Sequence, residues 1–246
     1  MTKRVGIIVQ ARISSTRLPK KIILKVDEKM TFLDVLLKRI KKLKHKYPIV
    51  LACSNNESDS ILESFAIKHK IKFFKGSENN VLDRFIKCAD YYKIDTIVRI
   101  CSDNPFIDIQ KIEELIETYK GEDYLSFKVN NKPSILTHYG FFTEIVSLKA
   151  LKKVQSQNLN NCFEHVTNCI YNNPDVFDIK FIQKRINNNN IRCTLDTEGD
   201  FNILKDIYIN FIKDNFNANY LEVIDFISNR PDLSIKMKSI IKENLK

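Results

Sequence analysis

Three groups of residues in this 246-residue chain have types and spacing suited to chemistry. The first is "QARISSTRLPKK", in which Arg12, Arg17, Lys20 and Lys21 alternate with the hydroxyls of Ser14, Ser15 and Thr16. Arginine offers a planar fork and lysine a point charge. With backbone N–H groups and hydroxyls they make a cradle for phosphate oxygens. The stretch has no glycine, so neither a Walker loop nor a GxGxxG dinucleotide turn is present. The second group is "CSDNPFID". Asp103 follows an apolar run, and the Asn-Pro step ends that run sharply, because proline holds the preceding residue extended. The third is "RCTLDTEGD", where Asp196 again ends an apolar run and Thr197 with Asp200 suits a helix start. One such aspartate would say little. Two, opposite a basic loop, suit Mg²⁺, which takes one or two carboxylates and completes its shell with phosphate oxygens and water.

The elements that must position these residues follow from periodicity. Arg4 to Val9 reads as a buried strand, then 31–44 as a helix capped by Thr31. Strands are expected at 48–53, 71–76 and 96–101, and helices at 58–70, 80–93 and 108–120, the last capped by Asp108. This alternation predicts a doubly wound, mainly parallel α/β sheet, in which ligands bind at the carboxyl ends of the strands. Beyond 121 the pattern weakens. "YLSFKV" and "FDIKFIQ" read as strands, with helices near 147–156 and 162–172. A late strand is expected at 191–196, a helix at 198–212, and two amphipathic helices in 219–246. The expected organisation is one domain: a nucleotide-binding core over 1–121, a small α+β lobe over 122–190 for the acceptor or a dimer contact, and a closing segment over 191–246.

Composition narrows the function. Hydrophobic residues make up 43% and charged residues 28%, ordinary for a globular protein. No apolar run approaches the ~20 residues that span a bilayer, and the N-terminus lacks a signal-peptide pattern, so no membrane partner and a cytoplasmic location are expected. The six cysteines form no CxxC pair and share no ligand spacing with the four histidines, which predicts reduced core thiols and no zinc site. The net charge of +10 favours an anionic partner. No helix-turn-helix or RNA-stacking signature accompanies it, and two strand-end aspartates ill suit a duplex groove, so nucleic acid is not expected.

"VQARISSTRLPKKIIL", "GSENNVLDRF", "VRICSDNPFID" and "RCTLDTEGDFNILKDIY" occur here in the order and spacing of the spore-coat-polysaccharide-type cytidylyltransferases. The chain resembles that family over roughly residues 4 to 210, and through it the acylneuraminate and 3-deoxy-manno-octulosonate cytidylyltransferases. "GFFTEIVSLKAL" and "EHVTNCIY" extend the likeness into the middle lobe. The resemblance implies a Rossmann-like fold of the nucleotide-diphospho-sugar transferase type, with a mixed, mainly parallel sheet flanked by helices. It implies transfer of CMP from CTP to a small anionic acceptor, with Mg²⁺ as cofactor, pyrophosphate as product and a homodimer as the working form. Carried over motif by motif, the nucleotide site comprises Gln10, Ala11, Arg12, Ser15, Thr16, Arg17, Lys21, Arg84 and Ser102. Arg17, Lys21 and Asp103 act in catalysis, and Asp103 and Asp196 hold the metal. Glu144, Glu164 and His165 line the acceptor side, with Lys128, His138 and Tyr139 weaker candidates.

The chain departs from the family pattern twice. Lys20 replaces a glycine in Leu-Pro-Gly-Lys, and Glu198-Gly199 stands where the family often has Pro-Glu. A glycosyltransferase on a similar fold is the alternative enzyme, but it would want a DxD motif where this chain has "SDNP".

Overall fold

The computed structural model describes residues 4–157 and 162–244. Four parallel strands form the first half of the sheet: β1 (Val5–Gln10), β2 (Ile49–Ser54), β3 (Lys72–Gly76) and β4 (Thr96–Cys101). They lie in the order β3-β2-β1-β4, so the chain reverses its direction of travel across the sheet between β1 and β4. That is the topological switch point where open α/β sheets bind ligands. β7 (Glu144–Ser147) runs antiparallel to β4 and also to β5 (Tyr124–Val129), with Arg99 directly opposite Glu144. β6 (Lys132–Pro133) and β8 (Ile179–Lys184) both pair with β5. The strands of 122–190 therefore extend the same sheet.

Alternation along the strands sends side chains into two cores. Ile7, Val9, Leu51 and Val98 face α1 (Phe32–Ile40), α2 (Leu62–His69), α4 (Ile109–Thr118), α7 (Glu198–Ile207), α8 (Tyr220–Ser228) and α9 (Pro231–Glu243). Ile8, Val50, Ala52 and Ile97 face α3 (Val81–Tyr91), α5 (Leu148–Ser156) and the short α6 (Asn168–Tyr171). The caps expected at Thr31, Asp108 and Thr197 are made, two of them as reciprocal capping boxes. Asp108 uses its second oxygen to accept from Tyr220 N at 2.7 Å, tying α8 to the loop after β4.

Four expectations need correction. Residues 191–196 are extended but join no strand. Cys193 N donates to His138 O and Leu195 N to Asp103 O, so this segment bonds to two loops rather than to a ladder. The helix expected at 162–172 is confined to Asn168–Tyr171; the residues before it form turns, and Thr167 at its N-cap gives its hydroxyl to Glu144. The helix expected at 198–212 passes into a π-helical turn over Tyr208–Ile212. Finally, Cys162 and Cys169 form a disulfide, with Cα atoms 5.7 Å apart, inside the usual span for such a bond. Cys53, Cys88, Cys101 and Cys193 are free thiols, as expected.

Candidate active site

The basic loop leaves β1 along a fixed path. Ala11 N donates to Ala52 O at 3.1 Å, and Ile13 N donates to Asp59 Oδ1 at 2.7 Å. Asp59 is buried and takes Ser54 N and Oγ on its other oxygen, so one carboxylate clamps the loop to the end of β2. The loop closes where Lys20 N donates to Ile13 O. Lys20 itself lies at φ 59°, ψ 18°, in the left-handed region that glycine occupies without cost. The loop thus keeps a glycine-type turn with a lysine in it, at a cost of ~1–2 kcal/mol. The turn beyond, Lys21–Ile23, buries Ile22 and aims Lys21 inward, its side chain 13% exposed.

Lys21 meets both strand-end aspartates. Its Nζ lies 3.4 Å from Asp103 Oδ2 and 2.9 Å from Asp196 Oδ1. Arg17 Nη2 reaches the same Asp196 oxygen at 3.1 Å. The two acidic segments are joined by backbone, since Leu195 N donates to Asp103 O at 2.8 Å. Ser102 N donates to Gln10 O, which joins the acidic loop to the end of β1. Burial alone would raise the Asp196 pKa, but the charge and hydrogen bond of Lys21, then Arg17 and Arg192, outweigh it and hold the carboxyl below its ordinary range. Arg192 is buried beneath, donating to Asp200 at 2.7 and 2.9 Å and to Asp196 Oδ2 at 3.4 Å. Asp200 also accepts from Asp196 N and Thr197 N, so the helix cap and the Asp196 support are one carboxylate.

Known proteins match most of the chain. Residues 6–227 fit the family described as cytidylyltransferase. The chain belongs to that family. It is 31% identical over 242 residues to the spore coat polysaccharide biosynthesis protein SpsF of Bacillus subtilis, covering 94% of this chain and 97% of that one. It also superposes on a cytidylyltransferase from Leptospira borgpetersenii with a TM-score of 0.85 and 28% identity, covering 94% of this chain and 97% of the other. A more remote neighbour is a CMP:2-keto-3-deoxy-manno-octonic acid synthetase complexed with CTP, at a TM-score of 0.63 and 12% identity, covering 85% and 99% of the two chains. That likeness supports the Rossmann-like fold.

In this cytidylyltransferase several of the other candidates separate by burial. Arg12 is exposed on the loop, 3.8 Å from the exposed Glu164, which brings that residue and the neighbouring His165 to the rim. Ser15 Oγ accepts from Leu18 N within the loop, and Thr16 is exposed beside it. Arg84 is buried on α3, packed against Gly76, and its Nε and Nη1 have no hydrogen-bond partner. Burial lowers its pKa, yet it remains a cation with unused donors. Glu144 is a correction. It does not line a surface: it is 1% exposed, and its oxygens accept from Arg99, Tyr124 and Thr167. Its place opposite Arg99 on β4 puts it in the core, where an unpaired carboxylate would be costly.

Reading the motifs alone misses Asp59 and Arg192. Asp59 had a weak signal, a carboxylate five positions after a strand-end serine. Arg192 had a better one: it stands four residues before Asp196 and eight before Asp200 in the same motif.

The donor set suits Mg²⁺. Two carboxylates, one of them held ionised, meet at the Lys21 ammonium beside the basic loop. No cluster of three or more ligating side chains exists among the described residues. A cation here would therefore draw its other ligands from substrate and water, as magnesium commonly does.

Proposed function

We propose that this cytidylyltransferase transfers the cytidylyl group of CTP to a small anionic acceptor, releases pyrophosphate, and uses Mg²⁺. The observation that carries this reading is the convergence of Asp103 and Asp196 on Lys21, next to Arg17. The remote neighbour solved with CTP supports the choice of nucleotide.

In this reading Arg12, Arg17 and Lys21 hold the triphosphate, with Ser15, Thr16 and the loop N–H groups completing the cradle. An acceptor oxygen attacks the α-phosphorus. The new P–O bond forms as the bond to the β-phosphate oxygen breaks, and pyrophosphate leaves. Little covalent work falls to the protein, so positioning and charge neutralisation dominate. Lys21 and Arg17 offset the charge that gathers on the leaving group. Asp103 and Asp196 would hold Mg²⁺, which supplies Lewis-acid charge at the phosphate. In the same reading Glu164, 3.8 Å from Arg12, and its neighbour His165 would meet the acceptor.

The test is pyrophosphate release by the purified protein from each of the four nucleoside triphosphates, with and without Mg²⁺. A panel of acceptors is supplied: a 2-keto-3-deoxy sugar acid, an amino-sugar acid, a sugar phosphate and a phosphonate. Release from CTP alone, requiring both metal and one acceptor class, is expected. Equal release from all four nucleotides, or none with any acceptor, would overturn the reading.

A further inference from the structure

On the sheet face covered by α3, α5 and α6, a chain of buried polar groups crosses four adjacent strands. Tyr124 on β5 donates its hydroxyl to Glu144 Oε2 on β7. Thr167 Oγ1 and Arg99 Nη1, the latter on β4, donate to Glu144 Oε1 at 2.8 and 2.6 Å. Arg99 then donates through Nη2 to Gln10 Oε1, on β1, at 3.0 Å. Arg99 is 7% exposed and packs over the Phe85 ring. A buried ion pair of this kind is a poor source of stability compared with apolar packing, and its better-attested use is to fix one arrangement.

The arrangement fixed here is the amide of Gln10. Gln10 is the last residue of β1, half-buried at the switch-point crevice, and the basic loop begins immediately after it. An arginine has donors and no acceptor, so the group Gln10 turns toward Arg99 must be its carbonyl oxygen. The NH₂ is thereby directed away from Arg99. Among the described residues nothing accepts a hydrogen bond from it, although it lies at the strand end where the substrate is expected.

We propose that the Gln10 NH₂ is a donor to an acceptor oxygen of bound CTP, and that Arg99 and Glu144 are positioning residues that lock it in the donor orientation. This rests on the reading of the site as one for CTP. Glu144 acts on the site through two side chains, Arg99 and Gln10. A pyrimidine carbonyl and a phosphate oxygen offer the same acceptor chemistry, and the choice of probe separates them.

The test is a calorimetric double-mutant cycle on the full chain, with folding checked by circular dichroism. Gln10→Met removes the donor and is expected to raise the CTP Kd about fivefold, and Gln10→Glu, which replaces it with an acceptor, about tenfold or more. Glu144→Gln is expected to raise the Kd about fivefold in the native background and to have no further effect in the Gln10→Met background. If Glu144→Gln does not fold, Tyr124→Phe perturbs the same carboxylate more gently and enters the same cycle. A loss that persists with cytidine but not with inorganic triphosphate assigns the contact to the pyrimidine carbonyl, and the reverse assigns it to phosphate. An unchanged Kd for Gln10→Met, or equal Glu144→Gln losses in both backgrounds, overturns the proposal while leaving the CTP reading intact. Failure of the unsubstituted protein to bind CTP removes that reading, and this inference with it.

Discussion

Lys21 Nζ lies 2.9 Å from Asp196 Oδ1 and 3.4 Å from Asp103 Oδ2, so one ammonium bridges both carboxylates of the site. In the proposed reaction the cation that meets the leaving pyrophosphate is thus also a counter-charge of the acidic pair. Asp103→Ala or Asp196→Asn should cut pyrophosphate release from CTP about a hundredfold or more with the circular dichroism spectrum unchanged. A variant that kept most of its turnover would remove the aspartate from the mechanism.

Lys20 holds a left-handed turn at φ 59°. Lys20→Gly relieves ~1–2 kcal/mol of backbone strain but gives back ~0.5–1 kcal/mol through the looser unfolded chain. A net gain of ~0.5 kcal/mol in chemical denaturation is expected, with CTP affinity retained. Lys20→Val should lose about 1 kcal/mol or more, because a β-branched residue tolerates this conformation poorly. A stabilised valine variant would show that the turn is not under strain.

Asp34 gives a dependence on acid that is separate from catalysis. Burial would raise its pKa, but His69 and Lys68 on one oxygen and Thr31 on the other hold it far below the ordinary 3.8. A carboxyl whose folded pKa is depressed contributes stability that is fully present above its unfolded pKa. That stability is lost as the pH falls through the folded value. Asp34→Asn should therefore lower the melting temperature at neutral pH and flatten the acid limb below about pH 4. Melting curves recorded from pH 2 to 7 check this, and a parallel offset between variant and native protein at every pH would contradict it.

The disulfide makes a countable prediction. Thiol titration of the denatured, unreduced protein should give the four free cysteines 53, 88, 101 and 193. After reduction it should give all six. Six thiols before reduction would mean that Cys162 and Cys169 are not paired.

Much of the scaffold was legible in the sequence because its strands are short, β-branched and flanked by well-capped helices. Val5–Gln10 and Thr96–Cys101 declare themselves this way, and the residues just past them are those at the switch point. What escaped depended on partners remote in the chain. Residues 191–196 read as a strand from their apolar alternation, yet they bond to the loops at His138 and Asp103. Glu144 read as a pocket residue because nothing local announces Arg99, its partner across the sheet. The change at Lys20 was visible, but not that lysine would adopt glycine's conformation. Cys162 and Cys169 belong to no recognisable spacing, so only their proximity in the fold reveals the bond.

The backbone bond from Leu195 N to Asp103 O has a bearing on how the protein is made. Lys21 and Asp196 are 175 positions apart. While the chain is still emerging from the ribosome, the basic loop exists without Asp196 and without the Asp200 clamp that steadies it. A nascent or truncated chain that stops before residue 191 would hold Arg17 and Lys21 with Asp103 as the one carboxylate of the acidic pair. Only residues 191–246, docking through that bond, bring the second carboxylate to Lys21 and Arg17.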